Sequence, residues 1–380
     1  VKMLGVGIQG AQLEERGFFR KLDWNFILPL LVLQVIGIIN LYSATHGFGS
    51  DSTDRLFISQ LFWLLKGWIV FLIVTLIDYQ FFIRLAYVIY GLNLLALIAV
   101  IFVGKVALGA QRWLDLGFFA YQPSESMKLC IILVLARHLS QRSFADGMGI
   151  KDLLLPLGAV IGVPFLITAE QPDLGTAMML LIIGSSILFF VKIRRSILVA
   201  LAVLGIFSAT GAWFFGLRDY QKHRIYTFLD PNQDPRGKGY NSIQSRIAVG
   251  SGQVFGKGFR KGTQSQLEFL PERHTDFIYS VLSEEFGFVG SMFTLSIFGL
   301  LFFTMMRIAQ HARDKAGAII TVGVMAALFW HMLINVGMVI GLLPIVGVPL
   351  PLLSYGGSNM LTTMAALGMV SSVSYRKYLF

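Results

Sequence analysis

Long uninterrupted apolar runs, separated by short charged stretches, set the pattern of this chain. About 20 consecutive apolar residues suffice for a helix to cross a bilayer. Such runs lie at about 26–43, 56–77, 81–103, 124–139, 153–168, 175–191, 196–216, 277–306, 316–341 and 354–373, which predicts ten spanning helices. The fourth and fifth are short. The eighth is long and carries Gly287 and Gly290, where a kink is expected. The pattern therefore predicts an all-α polytopic membrane protein. It is one membrane domain over 1–380, with a tail at 1–23 and one large loop at 217–276 between helices 7 and 8.

Composition agrees. The chain has 380 residues, is 55% hydrophobic and only 14% charged, against about 25% charged in soluble domains. The single cysteine, Cys130, sits in an apolar run, so no intrachain disulfide forms and the residue reads as buried. The first 25 residues lack a small-residue cleavage site after an apolar core, so no cleavable signal peptide is expected. They contain GVGIQG, which fits a dinucleotide-binding spacing but has no preceding strand to give it that meaning.

The net charge of +10 adds sidedness rather than a nucleic-acid partner, because there is no long basic run. With a cytoplasmic N-terminus, the inner segments hold sixteen basic residues: Lys2, Arg16, Arg20, Lys21, Arg84, Arg137, Arg142, Lys151, Lys192, Arg194, Arg195, Arg307, Arg313, Lys315, Arg376 and Lys377. The short outer loops hold three, Arg55, Lys105 and Arg112. Basic residues collect on the cytoplasmic side of membrane proteins, so both termini are expected there and the 217–276 loop outside. One lysine, Lys66, falls mid-span, where it fits snorkelling, pairing within the bundle or lining a pathway.

The expected outer side carries polar chemistry that a simple anchor does not need. GAQRWLDLGFFAYQPSESMK, residues 109–128, places Arg112 and Trp113 in a loop. Ser124 is a candidate N-cap of the fourth span. Glu125 and Lys128, three apart, share a helix face, as a local ion pair or as the lining of a water-filled cavity. Asp173, after Pro172, is either an N-cap of the sixth span or a site residue. The last outer turn ends in LPLLSYGGSNM, in which Ser354 or Ser358 caps the tenth span, or the bare Gly356 and Gly357 admit an anion. In the large loop, NSIQSRIAVGSGQ suits a short amphipathic helix on the membrane, and GSGQVFGKGFRKG has the composition, though not the spacing, of a phosphate cradle. PERHTDF then crowds Glu272, Arg273, His274 and Asp276 against the eighth span. A helix starting near Asp276 would bring Glu284 to the same face, with Glu285 about 100° away. The plain alternative is capping by Thr275 or Asp276 with a Glu272–Arg273 pair.

Three function classes fit these residues: an enzyme acting on a lipid-linked substrate, a lipid or solute transporter, and a membrane scaffold. The notable carboxylates all fall on the expected outer side, which favours chemistry there.

GAQRWLDLG, QPSE, AEQPDLGT, GTQSQLEFLPERHTDF, EEFGFVG and GVPLPLLSYGGS together resemble the SEDS family (shape, elongation, division and sporulation), nearest to its elongation-specific branch. The resemblance runs from about residue 24 to 375 and leaves the first 23 residues outside. It implies a ten-helix peptidoglycan glycosyltransferase of the bacterial inner membrane. Such an enzyme polymerises lipid II on the extracytoplasmic face and works with a class B penicillin-binding protein, other elongation-machinery proteins and membrane lipids. On the family pattern the essential aspartate is Asp276. The supporting residues are Glu284, Trp113, Glu125, Lys128 and Asp173, with Ser354 and Ser358 as further candidates. The implied mechanism has Asp276 as general base on the acceptor 4-hydroxyl, with undecaprenyl diphosphate leaving. Lys128, Arg112 and Arg273 are candidate cations for that diphosphate, beside His274, and a divalent cation (magnesium or manganese) is a candidate ligand of Asp276. The alternatives are a lipid II flippase or a scaffold of the elongation machinery.

Overall fold

The structure, a computed structural model, describes residues 22–376 apart from 47–53, 108–109, 116, 118–119, 143, 145–146, 217–218, 235–236 and 268. The GVGIQG tail, and Pro235 and Arg236 of the large loop, lie outside the described residues.

All ten predicted apolar segments are helical. The first three are α1 (Trp24–Thr45), α2 (Asp54–Leu76) and α3 (Tyr79–Val103). Then come α4 (Pro123–Ser140), α5 (Ile150–Glu170), α6 (Leu174–Phe190) and α7 (Arg195–Gly211). Within α5, Leu154–Gly162 is π-helical, and α7 runs on as a π turn, Ala212–Gly216. The large loop contains α8 (Asp219–Leu229), α9 (Lys238–Ser251) and α10 (Thr263–Gln266), and the last three long helices are α11 (Ile278–Gln310), α12 (Lys315–Val339) and α13 (Gly357–Arg376).

Six of these helices, α1, α2, α3, α5, α11 and α12, are long and apolar enough to cross a membrane on length and composition alone. Together with the shorter apolar helices they make the chain a polytopic membrane protein. Helix α4 falls short of that measure because its 18 residues include Glu125, Lys128 and Arg137, and it is wrapped by protein. Nearly all of it is buried, including Glu125, Lys128 and Cys130. A helix that does not meet lipid can carry charge toward its neighbours. The outer surface shows the converse: Leu92, Phe102 and Phe207 are 64%, 78% and 71% exposed, as suits contact with acyl chains.

Between α3 and α4, where sequence predicts only a loop, the chain forms a small antiparallel sheet, β1 (Lys105–Ala107), β2 (Ala110–Asp115) and β3 (Ala120–Tyr121), in that order. The Tyr121 hydroxyl and the Ser126 hydroxyl both donate to Asn93 Oδ1, at 2.7 and 2.8 Å, and Asn93 Nδ2 donates to the Pro123 carbonyl at 3.1 Å. That bonding ties the sheet to α3 and α4, and burial pushes the Tyr121 phenol above its ordinary pKa. Ser124 is not the cap of α4. The helix starts at Pro123, with Gln122 as the N-cap.

The large loop docks on the bundle rather than lying on the membrane. Ser245 of α9 donates to the Val339 carbonyl at 2.8 Å and lies 2.9 Å from the Ser280 hydroxyl. The expected kink in α11 falls at Gly287, with φ 66° and ψ −160°. A break inside a helix strands backbone groups, and in hydrocarbon each stranded group is costly. Here residues 253–258 satisfy them. Lys257 and Gly258 N–H donate to the Glu284 and Glu285 carbonyls at 3.0 and 2.9 Å, and Phe288 and Val289 N–H donate to the Gln253 and Val254 carbonyls at 2.9 and 3.0 Å. A Cβ on Gly256 would lie 2.1 Å from the Glu285 carbonyl oxygen, and one on Gly287 2.3 Å from Gly256 N. The glycines of GSGQVFGKG therefore bring two backbones into contact, which is the work their phosphate-cradle composition suggested for a ligand.

Candidate active site at the Asp276 turn

Helix α11 begins at Ile278, with Phe277 as its N-cap and no side chain capping it. Residues 271–277 before it are turns. Their carbonyls are held from three directions. Tyr355 N–H donates to His274 O at 2.9 Å and Ser354 Oγ to Thr275 O at 2.7 Å, both from the segment before α13. Asn335 Nδ2 of α12 donates to Asp276 O at 2.8 Å, and Asn40 Nδ2 of α1 donates to Ile278 O at 2.8 Å. Inside the turn, Thr275 and Phe277 N–H donate to Glu272 O, and Thr275 Oγ1 donates to Glu272 Oε2 at 3.0 Å.

Neither Thr275 nor Asp276 caps α11, so the plain capping alternative fails. The Asp276 side chain is half-buried, and its Oδ2 lies 3.2 Å from where a Cβ on Gly347 would stand. Gly347 has φ +79°, a conformation that favours glycine, and its backbone, without a side chain, stands beside that carboxylate. Arg273 Nε donates to Ala44 O at 2.7 Å, at the C-terminal end of α1, where a cation offsets the helix dipole. The His274 ring sits edge-on to Tyr355, and burial holds its pKa below the ordinary histidine value while Glu272 opposes the shift. The imidazole is therefore neutral at pH 7.

Glu284 does not join Asp276. Because α11 starts two residues later than expected, the two carboxylates have different neighbours. Glu284 is fully buried, and its Oε1 accepts from Lys257 Nζ at 2.7 Å, Gln264 N at 3.1 Å and Thr263 Oγ1 at 3.2 Å. Glu285 accepts from the Ser43 hydroxyl. The Oε2 atoms of both have no hydrogen-bond partner.

A second polar cluster lies inside the bundle. Both Glu125 oxygens accept from Lys128 Nζ at 2.9 Å, and Oε2 also accepts from Asn359 Nδ2 at 2.8 Å. Lys128 Nζ donates to His331 Nε2 at 2.9 Å, while His331 Nδ1 bonds the Ala327 carbonyl at 2.7 Å. An ammonium has no lone pair to offer, so His331 is the neutral tautomer with its proton on Nδ1. The cavity beside this cluster holds about 30 Å³, room for a water or two and not for a sugar.

The remaining expected residues frame these two centres. Asp173 does cap α6, accepting from Thr176 N at 3.2 Å and Thr176 Oγ1 at 2.9 Å. Arg112 Nη2 donates to Pro172 O at 2.8 Å, with its Nε 3.5 Å from Asp173 Oδ2. Trp113 is half-buried in β2, opposite Lys105. Neither Ser354 nor Ser358 caps α13. Ser354 accepts from Leu350 N while holding Thr275, and Ser358 donates to Ala120 O at 3.0 Å. Gly356 N–H donates to Gln60 Oε1, and a Cβ on Gly357 would lie 2.6 Å from the Trp63 ring, so these glycines serve packing. Lys66 is exposed on α2, its ammonium 4.5 Å from the Trp63 ring centroid. The sequence reading missed Asn40, Asn335, His331, Asn359 and Lys257. For Asn40, Asn335 and His331 the only signal was a polar residue interrupting an apolar run.

The family profile described as "Cell cycle protein" (FtsW, RodA, SpoVE) matches residues 23–379. The chain belongs to this family. It is 40% identical over 360 residues to the peptidoglycan glycosyltransferase MrdB of Escherichia coli K12, covering 94% of this chain and 95% of that one. Identity to the peptidoglycan glycosyltransferase RodA of Treponema pallidum is 31% over 426 residues, covering 93% and 98%. Among solved structures, a chain from work on coordinated polymerization and crosslinking by a peptidoglycan synthase complex superposes with TM-score 0.79 at 30% identity. The rod shape determining protein RodA of Thermus thermophilus superposes with TM-score 0.69 at 28% identity. Each covers 94% of this chain and 98% of the other.

Proposed function

We infer that this family member, a peptidoglycan glycosyltransferase of elongation, polymerises lipid II with Asp276 as its general base. Asp276 takes the proton from the acceptor's 4-hydroxyl as that oxygen attacks the donor's anomeric carbon, and undecaprenyl diphosphate leaves. The observation that carries this reading is the turn itself. Four donors from α1, α12 and the α13 approach hold the carbonyls of His274, Thr275, Asp276 and Ile278, while the Asp276 carboxylate is not used as the helix cap. Holding the backbone fixes where the base stands, and a general base must stand within hydrogen-bond reach of the proton it takes. The sugar reacts at the Asp276 end of the bundle, and the distribution of Lys and Arg supports the outer face of the bacterial inner membrane for that end.

Arg112, Arg273 and Lys128 are the cations proposed for the leaving diphosphate, each also held by a protein partner. Among the described residues no group of three His, Cys, Asp or Glu side chains is arranged to hold a metal ion. A magnesium site needs only one or two carboxylates with substrate phosphate. Asp276 with the diphosphate would hold magnesium or manganese, which would neutralise charge on the leaving group. The peptidoglycan synthase complex to which this chain is similar supports a crosslinking partner, a class B penicillin-binding protein.

The test is gel-resolved polymerisation of fluorescent lipid II by the full chain with its partner, as wild type and as Asp276→Asn, with and without chelator. Loss of a general base lowers the rate by roughly 10²–10⁴. Polymer from the wild type and none from the folded variant supports the base. Undiminished polymer from the variant removes Asp276 from the mechanism. No polymer from either chain returns the flippase or scaffold reading.

A further inference from the structure

We propose that a groove at the other end of the bundle, far from Asp276, binds an anionic phospholipid of the facing leaflet. It is formed by the C-terminal ends of α4 and α6 and the first turn of α12, and encloses about 380 Å³. Leu139 and Ile319 are its buried floor, Phe190 and Val191 form an apolar wall, and Arg142 and Lys315 bring two cations to it. Apolar walls beside paired cations suit one amphiphile, with acyl chain in the recess and phosphate at the rim. A free phosphate has no use for the walls.

Lys315 carries the electrostatic argument. It is the first residue of α12 and exposed. A cation in a first turn opposes the helix dipole. The turn is already capped by Asp314, whose Oδ1 accepts from Gly317 N at 2.7 Å. An anion in the groove would offset the Lys315 charge. Arg142 lies 3.6 Å from Asp152, but both side chains are part-exposed and such pairs hold weakly. This is also the end at which Lys151, Lys192, Arg194 and Arg195 gather, as expected for a surface facing anionic lipid.

The probe is cardiolipin against phosphatidylcholine with the same acyl chains, added to the full-length chain in mild detergent and read by native mass spectrometry. Cardiolipin is retained by the wild type and phosphatidylcholine is not. Arg142→Gln/Lys315→Gln lowers the retained fraction roughly tenfold or more, since each cation near an anionic surface contributes about 1 kcal/mol. Arg195→Gln, an exposed cation outside the groove, lowers retention far less than the double variant. Ala318→Trp fills the recess with both cations intact and also loses the lipid, and it gives the answer alone if the double variant fails to fold. Equal retention of phosphatidylcholine, equal loss in Arg195→Gln, or full retention in both groove variants overturns the site.

Discussion

The Asp276 turn and the Glu125–Lys128–His331 cluster both place a carboxylate in a membrane bundle, and they are held in opposite ways. At Asp276 the backbone is fixed and the side chain faces the bare backbone of Gly347. At Glu125 the side chain itself is fixed, with both oxygens on Lys128 and one on Asn359. The first arrangement fixes where a reactive group stands through its backbone. The second neutralises charge that hydrocarbon would not tolerate. Glu284 follows the second pattern, enclosed by the loop that plugs the break in α11. The difference separates a residue whose loss should spare the fold from residues whose loss should cost stability.

Breaking the inner pair tests this most severely. Lys128→Met leaves Glu125 buried without its ammonium, a loss of about 3–5 kcal/mol, read as a large fall in thermal midpoint in detergent. Asp276→Asn should lower that midpoint far less, and equal falls in both would erase the distinction. Next is Gly287→Ala. Its φ of 66° and a Cβ 2.3 Å from Gly256 N should cost at least about 2 kcal/mol, with faster proteolysis within 253–264 as the plug lifts.

Smaller again is Asn335→Ala, which removes a donor shared by the Asp276 and Val348 carbonyls. Leaving buried carbonyls unpaired costs about 1–3 kcal/mol. The polymerisation rate should fall too, and not fall further when combined with Asp276→Asn. The smallest effect is pH-linked. Burial lowers the His274 pKa in the folded state, so the unfolded chain binds the proton more tightly. Stability is fully present above the ordinary value of about 6.5 and declines as pH falls below it. His274→Gln should flatten that decline in midpoint, and an unchanged slope would assign it to another group.

Sequence reading came closest where the causes are local. Glu125 and Lys128 were expected on one face because they stand three positions apart, and their ion pair is present. Asp173 was open between cap and site residue, and the structure shows the cap. Ser354 and Ser358 lay near a helix start, yet they bond distant carbonyls instead. The expected Asp276–Glu284 face depended on where α11 begins, and a two-residue shift separates their neighbours.

The sequence by itself determined that this chain crosses a membrane many times, and it placed the segments that do so. Bilayer thickness converts directly into the length of an apolar run, so no long-range contact is needed. Only the tertiary structure decided which polar residues hold the backbone of the Asp276 turn and the start of α11. Asn40 and Asn335 reach the start of α11 from 238 and 59 residues away in the chain. Each is one polar residue in an apolar helix, and hydrogen bonds act over about 3 Å. Their partners exist only once α1, α11 and α12 have packed.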